Sequence, residues 1–106
     1  MDVDMQRAAK IAAVNDRFRG MALNVMITPG VRDLPGVVEL MKAVEKFDTF
    51  NMDNDPYGEH DCGSLEWHGQ WVFWKIDYTD INSGHWRDPL DEECHRIITV
   101  MLASEY

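Results

Sequence analysis

The chain has 106 residues, 45% of them apolar, and carries 19 acidic against 10 basic side chains for a formal charge of −9. That length holds one domain, residues 1–106, with a core of its own, and the apolar content excludes a disordered chain. The acidity argues against direct nucleic-acid binding, which needs clustered Lys and Arg, and against docking on anionic membranes; it favours a basic protein surface as partner.

Residues from about Asp4 to Phe18 read as a first helix. Met5, Ala8, Ala9, Ala12 and Phe18 recur at helical spacing, Ile11 and Val14 widen the stripe, and Gly20 is a stop. Ala22 to Thr28 alternates as a short strand through Leu23, Val25 and Ile27, and Pro29-Gly30 ends it. Asp33 is placed to cap a second helix that runs to about Phe47, with Pro35 in its first turn. Its buried stripe is Leu34, Val37, Val38, Met41 and Val44.

A loop follows from Asp48 to Glu59. Between Phe47 and Trp74 there are six acids and no Lys or Arg. Cys62–Trp67 and Gln70–Tyr78 form a predicted hairpin around His68-Gly69. That turn sets Trp67 opposite Gln70, Leu65 opposite Val72 and Gly63 opposite Trp74. One face then carries Leu65, Trp67, Val72, Trp74, Ile76 and Tyr78. The other carries Ser64, Glu66, Trp71, Phe73, Lys75 and Asp77. The first set is a core face; Trp71 and Phe73 on the second require a helix cover or a partner. After a polar stretch, Asp88-Pro89 opens a predicted last helix with Asp91, Glu92 and Glu93 in its first turn. Leu90, Cys94, Ile97, Ile98, Met101 and Leu102 form its stripe. The expectation is an α+β domain of order α-β-α-β-β-α: a two-layer fold whose three-stranded, mainly antiparallel sheet carries three helices.

The stretches Asp53-Asn-Asp-Pro-Tyr-Gly-Glu-His-Asp61, Val72-Phe-Trp-Lys-Ile-Asp-Tyr78 and Thr99-Val-Met-Leu-Ala-Ser-Glu-Tyr106, with Ile11-Ala-Ala-Val-Asn-Asp-Arg-Phe-Arg19 before them, resemble a family of small bacterial proteins of unknown function. The resemblance covers nearly the whole chain. It implies a bacterial, phage or plasmid source and carries no activity with it.

Four constellations bear on function. Asp53, Asp55, Glu59, His60 and Asp61 crowd nine positions, as a metal site would, and Asp55, Glu59, His60 and Asp61 are the ligands a metal-dependent hydrolase or nuclease would use. The spacing fits neither a calcium loop nor a zinc motif, and turn chemistry explains the same residues as an Asx/Pro turn whose acids cap backbone amides. A proton-transfer set built on His60 competes with a plain salt bridge from Lys75 to Asp61, Asp77 or Glu59. Cys62 and Cys94 read as reduced core residues, not nucleophiles, consistent with a cytoplasmic chain. Finally, Trp71, Phe73, Tyr57 and Trp86 with the acids around them would form a binding surface, or else pack under the first or last helix.

The leading expectation is a non-enzymatic, cofactor-free acidic interaction module, monomeric or homodimeric, whose partner is a basic protein surface. It extends to an inhibitor that occupies a nucleic-acid-binding surface in the anti-restriction or anti-CRISPR manner. The contacting residues are Asp53, Asp55, Tyr57, Glu59, His60, Asp61, Trp71, Phe73, Asp91, Glu92 and Glu93. The alternative is the metal-dependent hydrolase. The acidic opening Met1–Gln6, with no apolar run after it, reads as lacking a signal peptide.

Overall fold

The computed structural model describes residues 2–21 and 24–106. Helix α1 spans Val3–Met21, and the Asp2 carboxylate caps it by accepting from the Met5 amide at 2.8 Å. The buried face of α1 is Ile11, Ala12, Asn15, Phe18 and Arg19. It therefore lies along a stripe that includes two polar residues, and Met5, expected inside, is 56% exposed.

Of the predicted first strand, Ala22 and Leu23 fall outside the described residues. Strand β1 is Val25–Ile27. The predicted helix from Asp33 to about Phe47 is shorter than expected, and a separate one-turn helix precedes it where Pro29-Gly30 was expected only to end the strand. The Thr28 hydroxyl caps the one-turn helix α2, Pro29–Arg32, with Pro29 at its start and Asp33 at its end. Helix α3 begins only at Val37 and ends at Glu45. The break lies at Pro35-Gly36, where Pro lacks an amide hydrogen and Gly36 takes a left-handed φ of 67° that no right-handed helix continues through. The Trp67 indole N–H fixes this corner by donating to the Pro35 carbonyl at 2.8 Å.

Strands β2 (Cys62–Trp67) and β3 (Gln70–Asp80) form the predicted hairpin. Every pair from Trp67↔Gln70 to Cys62↔Lys75 has the expected register. The last predicted helix is instead strand β4, Cys94–Leu102. It pairs antiparallel with β3 from Val72↔Leu102 to Asp80↔Cys94 and parallel with β1. The sheet thus has four strands in the order β1-β4-β3-β2, and it is mixed. Asp88 still accepts the Leu90 amide, at 2.8 Å, as a cap would, but the turn stops there. Asp91, Glu92 and Glu93 lie in that turn and not on a helix.

Strand geometry wins over the helical stripe for two reasons. Ile97, Ile98, Thr99 and Val100 are four successive β-branched residues, which pack well on a pleated sheet and are restricted in a helix. The second edge of the long strand β3 also needs hydrogen-bonding partners. Alternation then places Arg96, Ile98, Val100 and Leu102 inward and Ile97, Thr99 and Met101 outward.

All three helices bury against one face of the sheet. The core joins Phe18, Val31, Leu40 and Val44 from the helices to Val72, Trp74, Ile76, Ile98 and Val100 from β3 and β4. Gly63 allows a close approach in this layer. A Cβ there would lie 2.7 Å from both Phe47 Cε1 and Trp74 Nε1. Among the described residues, no helix is long and apolar enough to cross a membrane.

Candidate functional site

The acidic loop is largely self-bonded. The Asn51 side chain accepts from the amides of Asp53 at 2.9 Å and Asn54 at 3.1 Å. The Asn54 side chain accepts from the Asn51 amide at 2.9 Å. Asp55 is 7% exposed, and its Oδ1 accepts from the amides of Glu59 at 3.1 Å and His60 at 3.2 Å. This arrangement is the Asx/Pro turn that the composition permits. Asp55 is thereby unavailable as a surface contact.

His60 has φ 55°, and its ring stacks on Phe50 with centroids 3.9 Å apart. Its Nδ1 donates to Asp16 of α1 at 3.0 Å, since a carboxylate can only accept. The Glu59 carbonyl accepts from the Asn15 side chain at 2.9 Å, and the Asp61 carbonyl accepts from the Ile76 amide at 2.7 Å. These bonds tie the loop to α1 and to the sheet.

Below the loop lies a polar knot. Asn15 is fully buried. Its Nδ2 also donates to the Tyr78 hydroxyl at 2.8 Å, and its Oδ1 accepts from Arg96 Nε at 2.7 Å. Arg96 donates onward to the Pro89 carbonyl at 2.7 Å and lies over the Tyr78 ring, 5.2 Å from its centroid. The Tyr78 hydroxyl reaches Asp61 at 3.4 Å. Burial pushes the Asp61 carboxyl above the ordinary carboxylate range, and the negative charge of Asp55 adds to it. Glu59 is raised too, by burial first and by Asp61 next. Burial likewise holds the Tyr78 phenol well above its usual value.

The three acids and one histidine that would have to converge for metal-assisted hydrolysis do not do so. Asp55 faces amides and Asp61 faces Tyr78, while His60 faces Asp16 through Nδ1 and only its Nε2 comes near one of the set, 3.7 Å from Asp55. Among the described residues, no group of three or more His, Cys, Asp and Glu is arranged to hold a metal ion. The thiols of Cys62 and Cys94 are both pushed up, burial being the largest cause, which disfavours the thiolate a nucleophile needs. Lys75 pairs with Asp77 of its own strand at 3.0 Å, so it does not tie the loop to the sheet.

The opposite face of the sheet is a different environment. Among the described residues, no α-helix packs on it, although the one-turn 3-10 helix Ala103–Glu105 lies beside β3, Tyr106 follows it onto Phe73, and Met101 is buried. It presents Trp71 and Glu66, Phe73 and Met101, Lys75 and Thr99, and Asp77 and Ile97 as cross-strand neighbours. Trp71 is 54% exposed. Phe73 meets Tyr106 edge to face at 5.9 Å. Beside this pair lies a cavity of about 410 Å³ whose wall includes Asp53, Ser64, Phe73, Lys75, Met101 and Tyr106.

The residues singled out from the sequence therefore separate. Asp53, Trp71 and Phe73 adjoin this open face. Tyr57 is exposed on the loop. Glu59, His60 and Asp61 are half-buried in the contacts above. Asp91 and Glu93 both pair with Arg87, at 3.4 Å and 2.7 Å, while Glu92 is exposed. Sequence reasoning passed over Met101 and Tyr106, which enter this site only because residues 94–102 form a strand beside β3. Asn15 and Arg96 were equally hidden, each standing in a pattern read as helical.

No curated protein and no solved structure matches the chain. Residues 27–105, a span that takes in α2, α3 and the β2–β3–β4 meander, match the family described as Protein of unknown function (DUF3768), and the chain belongs to that family.

Proposed function

We propose that this chain is a small acidic interaction module that binds a basic surface of another protein through the uncovered face of its sheet and the acidic loop beside it. The observation that carries the reading is Trp71, half-exposed on a strand face that no described α-helix covers, with Glu66 directly opposite it. Large aromatics in such positions are the usual anchors of protein interfaces. The surrounding charge supports the choice of partner. Neither Asp53 nor Glu66 has a cationic partner among the described residues, and the chain as a whole carries −9. Complementary charge steers association with a basic surface and weakens as salt screens it. A nucleic-acid-binding groove of another protein is one such surface, and an inhibitor that occupies it by charge is the sharper form of the same reading.

Asp53, Trp71 and Phe73 are assigned the contact, with Tyr57, exposed on the acidic loop, at its margin. The test is to purify a protein that co-purifies at low salt and measure its affinity for the chain from about 50 to about 500 mM salt. The expected result is a steep fall, with further loss for Trp71→Ala and for the charge reversals Asp53→Lys and Glu66→Lys. An affinity indifferent to salt and to all three substitutions refutes the reading.

A further inference from the structure

The open-face cavity has a composition that selects its occupant. One side is apolar and aromatic: Phe73, Met101 and Tyr106, with the two rings edge to face at 5.9 Å. Asp53, from the loop that leads into β2, lines the same cavity. The cation on the wall is Lys75, and its ammonium is held 3.0 Å from Asp77 on the same strand. The charge of Asp53 is therefore left unneutralised beside the ring pair. An anionic ligand would be repelled by that carboxylate, an apolar one would desolvate it, and a second copy of this chain would bring a further −9.

We infer that this cavity receives an arginine side chain of the partner, its guanidinium set against the Phe73 and Tyr106 rings and paired with the Asp53 carboxylate. The inference rests on the interaction reading above and names the group by which the partner is recognised. Arginine fits better than lysine, because its planar, weakly hydrated cation stacks on aromatic rings and pairs with a carboxylate in the same plane. A cavity of about 410 Å³ also holds such a side chain with room for the backbone that carries it.

The probe is a short acetylated peptide with one arginine between glycines, and its control carries citrulline, which has the same shape without the charge. Amide NMR shifts of the full chain report where each binds. The arginine peptide is expected to move the amides of Ser64, Phe73, Lys75, Met101 and Tyr106. Replacement by citrulline, Asp53→Asn and Phe73→Leu are each expected to weaken it about two- to fivefold, the range of an exposed cation–aromatic contact. The dispersed spectrum of Phe73→Leu verifies folding, and Asp53→Asn changes only an exposed position. Equal binding of the citrulline peptide overturns the inference, as does binding that moves only the 2–16 or 88–93 amides. So does concentration-dependent dimerisation that closes the cavity. A salt-sensitive protein partner that still binds in those cases leaves the interaction module standing. A partner indifferent to salt, with the peptide still seated at Phe73, sinks the module and not the cavity.

Discussion

Replacing Asn15 by Ala removes three hydrogen bonds from a fully buried position. The Arg96 guanidinium loses its 2.7 Å acceptor while keeping the Pro89 carbonyl. The Glu59 carbonyl loses the donor that ties the acidic loop to α1, and the Tyr78 hydroxyl keeps only its longer contact to Asp61. A buried polar group left without a partner costs about 1–3 kcal/mol, and more when it is charged. With partial relaxation around the smaller side chain, the expected loss is about 3–5 kcal/mol, a large share of the stability of a domain this size. Urea unfolding followed by tryptophan emission measures it, since Trp74 is buried at the centre of the core. The cycle of Asn15→Ala, Arg96→Ala and the double variant isolates the charged bond, for which a coupling of about 1.5–3 kcal/mol is expected. A loss below about 1 kcal/mol for Asn15→Ala, or strict additivity in the cycle, refutes the reasoning.

Gly63→Ala is expected to destabilise by about 1–3 kcal/mol in the same assay, because the added methyl meets Phe47 and Trp74 at 2.7 Å; an unchanged midpoint counts against that packing. Asp61→Asn has a pH-dependent effect with a definite sign. A carboxyl whose folded value is raised binds more protons when folded, so it favours the fold in acid and loses that contribution as pH rises through the raised value. The variant should therefore gain on the native chain as pH climbs from the ordinary carboxylate range toward neutrality, and a difference that shrinks instead refutes it. Asp88, held below its usual range first by Arg7, has the opposite sign, so Asp88→Asn should lose its effect as pH falls through that lowered value. Trp71→Ala is expected to leave stability within about 0.5 kcal/mol, as a half-exposed position allows, yet to weaken partner binding at least about tenfold. A variant that unfolds would show Trp71 to be a core residue.

Local pattern carried some elements completely. The β2–β3 register followed from a two-residue turn and period-two alternation, because any slip would have mixed Leu65, Val72 and Trp74 with Ser64 and Lys75. The self-bonded Asn51–His60 loop was equally local, since its bonds reach only a few residues; the α3 stripe was read only in part, for Val44 is buried as expected but Val38 is 60% exposed and Leu40, outside the expected stripe, is fully buried. The C-terminal segment was not legible in the same way. Cys94, Ile97, Ile98 and Met101 satisfy a helical stripe as well as a strand, and Asp88-Pro89 starts a turn as readily as a helix. The family resemblance gave no conformation for that segment.

The sequence by itself determined a mixed α+β chain, an acidic surface, the hairpin and its two faces. These depend on spacing, turn geometry and charge, which act between near neighbours. Only the tertiary structure decided that 94–102 is a strand, for its choice depends on the unpaired edge of β3 and on β1 across from it. The same pairing brings Arg96 to Asn15, 81 positions away, and Met101 to Phe73. It sets the knot under the loop and the aromatic cavity on the open face, because a contact between distant residues exists only once the sheet has ordered its strands.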